Sequence, residues 1–231
     1  MTGGPSYRGQ VAIVVALVVA AALLVAGARA LAAGWAPDRS DFALQGMTID
    51  ETDGPVDWPI VAAQGVDFVY LRATAGIATR DRRFAAHWAA LAHGNVRRGA
   101  VHVLSLCEPA GAQAALYLRM VPRTEDALPG VLAIDEVPDC ARAMTPAAAA
   151  NHVRRFLAIA ERHMQLPMLI RIAPAVEARF ALSRAVDRQL WAARNWFAPD
   201  YLARPWRLWQ ASDMRRIDGV AGPVRWSVVA P

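Results

Sequence analysis

The N-terminal segment, residues 1–33, contains a long apolar run. Residues 11–28 are 18 consecutive positions with no charge and no strongly polar group, with Arg8 before them and Arg29 after them. As a helix rising about 1.5 Å per residue, this run nearly crosses the ~30 Å hydrocarbon core of a bilayer. The pattern favours a membrane anchor. The alternatives are a secretory signal cleaved at Ala26-Gly27-Ala28, whose small residues suit cleavage, and a helix buried in a soluble protein.

Beyond a polar linker at residues 34–41, the apolar positions alternate between strand and helix spacing. The run Phe68-Val69-Tyr70-Leu71 is typical of a buried strand, whereas Phe84, Trp88 and Leu91 share one face of a helix that ends near Gly94. A long helix begins after Thr145, a residue type that caps helices. The predicted strands are 42–49, 67–73, 99–106, 130–135, 167–172, 190–193, 206–210 and 224–229, and the predicted helices are 56–64, 82–93, 109–120, 146–165 and 175–182.

This order of elements predicts the fold of residues 42–231. Five strand–helix units, followed by strands with only turns and loops between them, indicate an α/β fold of the irregular (β/α) barrel type. Active sites of such barrels lie where the strands end at their carboxyl side. The positions predicted to surround the site are 48–53, 74–76, 102–107, 133–139 and 210–213.

The amino-acid composition excludes some classes of protein for this chain. Hydrophobic residues make up 55% of the 231 residues, which excludes an intrinsically disordered chain. The formal net charge is +5, and all 25 basic residues are arginine. This charge is either ordinary solvated surface or a preference for an anionic partner such as a cell-wall polymer. No nucleic-acid-binding motif, metal-ligand spacing or glycine-rich phosphate loop is present, so the sequence predicts no nucleic-acid partner, metal or cofactor.

The two cysteines, Cys107 and Cys140, are an even number in a chain expected to be exported. An oxidising compartment favours a disulfide between them, and two buried thiols are the alternative. On the chain-entropy model, such a bond contributes roughly 3–4 kcal/mol to stability.

Several short segments follow one another in a characteristic order from residue 43 to residue 231. They are Gly46-Met47-Thr48-Ile49-Asp50, Val56-Asp57-Trp58, the strand from Gly65 to Thr74, Gly99-Ala100-Val101-His102, Val131-Leu132-Ala133-Ile134-Asp135, Leu190-Trp191, Leu208-Trp209-Gln210 and Val224-Arg225-Trp226-Ser227-Val228. Each segment alone is unspecific, but the ordered series resembles glycoside hydrolase family 25, the peptidoglycan-cutting lysozymes. The resemblance implies the same barrel and a cell-wall glycan as substrate.

The resemblance also implies where the catalytic acids belong, and most of these positions differ here. Cutting a glycosidic bond generally requires two carboxyl groups. The family's Asp-x-Glu pair falls on Ala133 and Asp135, and the aspartate of its opening strand falls on Thr48. The resemblance further implies a glutamate at the position of Ala75 and tyrosines at those of Val101 and Arg171. It implies an aspartate and an asparagine at the positions of Arg225 and Ser227.

The best remaining pair of acids is Asp135 with Asp50. Asp50 lies two residues after Thr48 and therefore on the same face of its strand, near the barrel rim. Glu136 follows Asp135 directly, so it points to the opposite face as long as the strand continues. Asp135 and Asp50 are therefore the catalytic candidates, with solvated loop charges as the alternative interpretation.

Four other residues are candidates for contacting the substrate: His102, Trp191, Trp209 and Gln210. Aromatic rings stack on the apolar faces of sugars, and histidine and glutamine supply hydrogen bonds. The alternative is that His102 and the tryptophans are core residues, since each lies in an otherwise apolar strand.

Three functions remain open from the sequence, besides that of an unrelated barrel enzyme whose substrate nothing in the sequence names. The first is a barrel that binds peptidoglycan glycan strands but cleaves them weakly or not at all, because the family carboxylates are replaced. The second is an active N-acetylmuramidase with Asp135 as acid and Asp50 assisting. The third is an envelope scaffold that binds another protein. All three place the barrel outside the cytoplasm, in the periplasm behind a membrane anchor at residues 11–28, or secreted if the segment is removed.

Overall fold

The computed structural model describes residues 7–92 and 94–231. Residues 1–6 of the predicted anchor segment and residue 93 of the predicted helix 82–93 lie outside the described residues. The chain divides into two compact units, the first ending at Trp35 and the second running from Ala36 to Pro231. The described part of the first unit contains one helix, α1 (Tyr7–Gly34). Its length and apolar composition suffice to cross a membrane, a property that signal sequences share.

The second unit is built on a barrel-like sheet. Its strands are β1 (Gln45–Ile49), β2 (Phe68–Ala75), β3 (Thr79–Arg80), β4 (Arg97–Val103), β5 (Val131–Ile134), β6 (Leu169–Ile172), β7 (Leu190–Ala193), β8 (Leu208–Arg215) and β9 (Val224–Val229). In the described part of the chain, eight of these close a ring in the order β1-β2-β4-β5-β6-β7-β8-β9. Neighbours from β1 to β8 are parallel, while β9 runs antiparallel to both β8 and β1. The short strand β3 pairs with β2 outside this ring.

Helices alternate with the strands along the chain as far as β7. They are α2 (Trp58–Ala63), α3 (Phe84–Ala90), α4 (Ala110–Met120), α5 (Pro146–Met164), α6 (Pro174–Phe180) and α7 (Leu182–Ala185). The longest, α5, begins as its sequence predicts, because the Thr145 hydroxyl accepts a hydrogen bond from the Ala148 backbone N–H at 3.2 Å. Between β7 and Pro231 the described residues form no helix. Two tryptophans of this segment, Trp206 and Trp209, pack against Phe42 and against each other, with ring centres 5.8–6.2 Å apart.

Successive side chains along each strand point alternately into and out of the ring, and this gives the protein two hydrophobic cores. Inside the ring lie the buried residues Phe68, Tyr70, Val101, Val131, Ala133, Leu169, Trp191 and Leu208. Residues of the opposite parity, such as Leu132 and Ile134 on β5, pack in a larger core that also includes helix residues. On β1, Met47 and Ile49 belong to this larger core. Thr48 therefore faces the interior of the ring, as does Ala133.

Candidate active site

The mouth of the barrel, where the parallel strands end, holds Asp50 in a network of charged groups. Asp50 follows β1, and its Oδ2 atom accepts a hydrogen bond from Nη2 of Arg225 at 2.7 Å. Nη1 of Arg72 lies 3.3 Å from the same oxygen. The other carboxylate oxygen accepts from the backbone N–H and the hydroxyl of Thr52, at 2.9 and 2.5 Å. The side chain is only 4% exposed, so both of its oxygens are occupied by neighbours rather than by solvent.

Two further acids complete this side of the mouth. Asp53 accepts from the Asp50 backbone N–H at 2.7 Å and lies 3.9 Å from Arg225. Asp81 accepts from the Glu51 backbone N–H at 2.7 Å, and its carboxylate lies 3.7 Å from Nε of Arg72. The two arginines are thus shared among three carboxylates, and the same contacts fix the loop that follows β1.

These contacts shift the pKa of Asp50. Burial by itself raises that pKa, but the hydrogen bonds from the Thr52 hydroxyl and the Arg225 guanidinium outweigh burial and lower it to about 2. The neighbouring Asp53 behaves oppositely, because burial raises its pKa above the usual value. Asp50 is therefore an anion throughout the pH range in which proteins usually work.

We expect Asp50 to make stability depend on acid pH. A carboxyl whose pKa is lower in the folded chain stabilises the fold above its unfolded pKa, about 3.9, and loses that contribution as the pH falls toward 2. A shift of this size corresponds to about 2 kcal/mol. The free energy of unfolding in urea, measured for the wild type and for Asp50→Asn, should therefore differ by about 2 kcal/mol at pH 6 and converge near pH 2. A difference that stays constant over this range would contradict the assignment.

On another part of the mouth, Asp135 forms a bidentate ion pair with Arg171. Nε of Arg171 donates to Oδ1 at 3.1 Å, and Nη2 donates to Oδ2 at 2.7 Å. The Asp135 side chain is 41% exposed, whereas that of Arg171 is only 7% exposed. The third nitrogen of Arg171, Nη1, is buried without a hydrogen-bond partner in the described residues. Arg171 is the register partner of Ala133, so this free donor belongs to the residue directly beside Ala133.

The structure does not bring Asp50 and Asp135 into one network. On the shorter path around the ring, β2 and β4 separate the strands that carry them. Asp50 is held by Arg72 and Arg225, whereas Asp135 is held by Arg171, and the described residues show no arginine that binds both acids. Glu136 is exposed, and the described residues show no hydrogen bond or ion pair from its side chain.

His102 does not lie at the mouth, which corrects the expectation that it contacts substrate. Because Val101 faces the interior of the ring, His102 points outward, where it is fully buried. Its Nδ1 atom lies 2.7 Å from the Thr74 hydroxyl, its Nε2 atom lies 3.2 Å from Oε1 of Gln113, and its ring stacks on Phe156. Burial lowers its pKa to about 4, so the ring is neutral at ordinary pH. Its position is that of a hydrogen-bonded core histidine.

The two candidate tryptophans also present no open ring face. Trp191 is completely buried inside the ring, 5.0 Å from the centre of the Tyr70 ring. Trp209 points outward from β8, where its indole N–H donates to the Arg194 carbonyl oxygen at 2.7 Å. Gln210 is partly exposed and has the same parity as the inner residue Leu208, so it remains a candidate for contact with a ligand.

Three arginines of the mouth were not predicted from the sequence as functional residues: Arg72, Arg171 and Arg225. Arg72 was missed, although it continues the inner parity of Phe68 and Tyr70 on β2, and that parity was a readable signal. Arg171 and Arg225 stood at family positions that had changed. Their partners could not be read from the chain, because Arg225 meets Asp50 from 175 residues away.

The cysteines join two loops of the mouth. Cys107 lies between β4 and α4, Cys140 lies between β5 and α5, and the two form a disulfide with Cα atoms 5.9 Å apart. The neighbouring Glu108 accepts a hydrogen bond from the Ile77 backbone N–H at 3.0 Å, which ties in the loop that follows β2. Three consecutive loops of one wall are therefore connected, and the loop between β5 and α5 also carries Asp135.

Comparison with known proteins decides the family. The model of glycosyl hydrolases family 25 matches residues 48–220. The chain belongs to this family. It is 26% identical over 196 residues to the uncharacterized protein YegX of Escherichia coli K12, covering 82% of this chain and 70% of that protein. It is 30% identical over 99 residues to Lysozyme M1 of Streptomyces globisporus, covering 41% of this chain and 34% of that protein.

Solved family 25 structures have the same fold. A family 25 glycosyl hydrolase from Bacillus anthracis superposes with a TM-score of 0.76 at 20% identity, covering 85% of this chain and 92% of that one. The bacterial lysozyme from Streptomyces coelicolor superposes with a TM-score of 0.72 at 24% identity, covering 80% and 91%. At these identities the likeness shows the fold.

Within this family 25 barrel, arginines accompany the acids of the mouth. Threonine and alanine occupy positions 48 and 133 inside the ring, and Arg171 and Arg225 extend from neighbouring strands. Each of these arginines binds one of the remaining acids, Asp135 or Asp50. Both candidate acids of the mouth are therefore already paired with guanidinium groups.

Proposed function

We propose that this family 25 barrel binds peptidoglycan glycan strands in the cell envelope without cleaving them at an appreciable rate. The observation that carries the proposal is the state of the two candidate acids: each is held by its own arginines, and they belong to separate networks. The glycan as ligand is supported by the family and by the lysozymes among its relatives.

Hydrolysis needs a carboxyl group that is protonated when the substrate binds, so that it can deliver a proton to the leaving oxygen. Asp50 does not suit this role, because its pKa of about 2 keeps it ionised and its oxygens are occupied. Asp135 is more accessible, but its bidentate pair with Arg171 must break before it can approach a glycosidic oxygen. The missing carboxylate at Ala133 removes the family's second group.

The N-terminal helix and the disulfide both support a location in the cell envelope. We infer that α1 acts as a membrane anchor, or as a signal that is removed, and that the barrel lies outside the cytoplasm in either case. The disulfide between Cys107 and Cys140 is compatible with this compartment, since such bonds persist under oxidising conditions.

An active muramidase is the second candidate, and one observation favours it. Asp135 is 41% exposed at the mouth, at the family's glutamate position, so a substrate that displaces Arg171 would meet a carboxyl group there. In this mechanism Asp135 protonates the leaving oxygen and Asp50 stabilises the sugar cation. A scaffold that binds an envelope protein is the third candidate, and it requires no glycan affinity.

Binding and cleavage of purified peptidoglycan sacculi separate these candidates. The full chain, held in detergent micelles, should sediment with sacculi and release no soluble sugar fragments, and Asp135→Asn should sediment equally. The matched control is Glu125→Gln, an exposed acid remote from the mouth. Fragment release that disappears in Asp135→Asn but persists in Glu125→Gln would overturn the proposal in favour of the muramidase. Failure to sediment would leave the protein scaffold as the function.

A further inference from the structure

The opposite end of the barrel contains a cavity that the function of the mouth does not use. It has a volume of about 310 Å³ and is lined at the amino ends of the parallel strands. Phe68, Tyr70, Leu169 and Leu208 form much of its apolar wall, and all four belong to the core inside the ring. Arg97 and Arg207 lie at its polar edge. Its size and its mainly apolar lining fall in the range of small-molecule sites.

Two glycines explain why this end of the ring is not filled. The interior of a (β/α) barrel is normally packed with layers of side chains. Here a Cβ atom on Gly46 would collide with the Phe68 ring, and one on Gly99 would collide with the Tyr70 ring. The two rings therefore lie against the wall where β1 and β4 have no side chain, and space remains beside them.

The edge of the cavity carries positive charge that the protein leaves uncompensated. In the described part of the chain, Arg97 makes no side-chain hydrogen bond or ion pair, and Arg207 makes a side-chain bond only from Nη1, to the Ala230 carbonyl oxygen at 2.9 Å. Asp67, the acid in the lining, is paired with Arg39 at 2.9 Å. Tyr70 also lines the cavity. Polar donors thus border an apolar space.

We propose that this cavity binds an anionic amphiphile, with a single alkyl chain against the apolar wall and a carboxylate or phosphate head group against Arg97. The apolar wall stabilises the chain by removing it from water, and the Arg97 guanidinium forms charge-assisted hydrogen bonds with the head. Because catalytic and glycan sites of such barrels lie at the opposite end, this site does not depend on the function proposed for the mouth.

Photolabelling tests the site directly. The full chain is placed in nanodiscs of zwitterionic lipid and treated with dodecanoate that carries a photoreactive diazirine in its alkyl chain. We expect the label on peptides that contain Phe68 to Tyr70 or Leu208, and we expect excess dodecanoate or dodecyl phosphate to prevent it. The stronger of these two competitors identifies the head group. Label confined to the membrane helix at residues 7–34, or equal competition by uncharged dodecanol, would overturn the proposal.

Variants separate the contribution of the positive charge to binding from that of the apolar space. At low probe concentration, Arg97→Gln should reduce cavity labelling at least about tenfold, because hydrogen bonds to a charged group are lost. Arg162→Gln, an exposed arginine outside the cavity lining, should leave labelling unchanged. Leu169→Trp should block labelling by filling the space, with circular dichroism as the check on folding. Because Arg97 is exposed, its replacement should not prevent folding, and unchanged labelling in Arg97→Gln would contradict the proposal.

Discussion

Replacing the three substituted positions with family acids, as Thr48→Asp, Ala133→Asp and Asp135→Glu together, is expected to leave the protein unable to release fragments from peptidoglycan. Arg171 lies beside position 133, and its Nη1 donor is buried without a partner among the described residues. A carboxylate introduced at position 133 would form an ion pair with this nitrogen. Arg225, the register partner of Thr48, would do the same on β1. The restored acids would then be held as anions.

Adding Arg171→Tyr and Arg225→Asp to the triple variant should make cleavage measurable. These changes remove the guanidinium groups and return the residue types that the resemblance implies. Because a correctly placed general acid contributes about 10²–10⁴-fold to rate, fragment release should rise at least about a hundredfold above that of the triple variant. Reducing-end release from purified sacculi is the measurement.

Two controls define this experiment. Circular dichroism of both variants should show the same helix content as the wild type, so that a loss of fold is not mistaken for a loss of chemistry. The five-residue variant built with Asp135→Gln in place of Asp135→Glu should return to background, because an amide at this position has no proton to deliver. Cleavage by the triple variant alone would show that the arginines do not silence the acids.

Breaking the disulfide is expected to have the largest effect on stability. Cys107 and Cys140 are 33 residues apart in sequence, and on the chain-entropy model the loss of such a cross-link lowers the free energy of unfolding by roughly 3–4 kcal/mol. Guanidinium unfolding of the full chain should show this decrease in Cys107→Ser, in Cys140→Ser and in the double variant. The same decrease should follow reduction of the wild type.

The three variants also test the pairing itself. Because either substitution removes the bond, the second should add little to the first. Two independent decreases that simply sum would indicate two separate buried thiols. A decrease below about 1 kcal/mol in the double variant would show that packing around the loops, rather than the cross-link, maintains the wall of the mouth.

The pattern of apolar residues along the chain was sufficient to predict where the main strands of the barrel lie. It was also sufficient to predict that Ala133 faces the interior of the ring. Predicted strands such as 130–135 and 190–193 overlap β5 and β7, because apolar runs of this length have few alternatives to a buried strand. The boundaries are less accurate: predicted strand 42–49 begins at Gln45, since Phe42 packs with Trp206 and Trp209 instead. The parity that places Ala133 inside the ring follows from the two-residue period of a strand.

The same period should have excluded His102 and Trp209 as contacts for a glycan. Each follows an inner residue, Val101 or Leu208, and therefore points outward. Their residue types suggested binding, but the face of the strand decides whether a side chain reaches the mouth. Trp191 does face inward, and it is excluded only because Tyr70 and the other inner residues bury it completely.

The sequence by itself determined the apolar N-terminal helix and the family, because each depends on residue identity or on short periods along the chain. Only the tertiary structure decided that arginines bind the acids that remain. Arg225 and Asp50 are 175 residues apart and meet through the closure of the ring by β9. The cavity at the other end has the same origin, since it requires the rings of Phe68 and Tyr70 to lie against glycines of neighbouring strands.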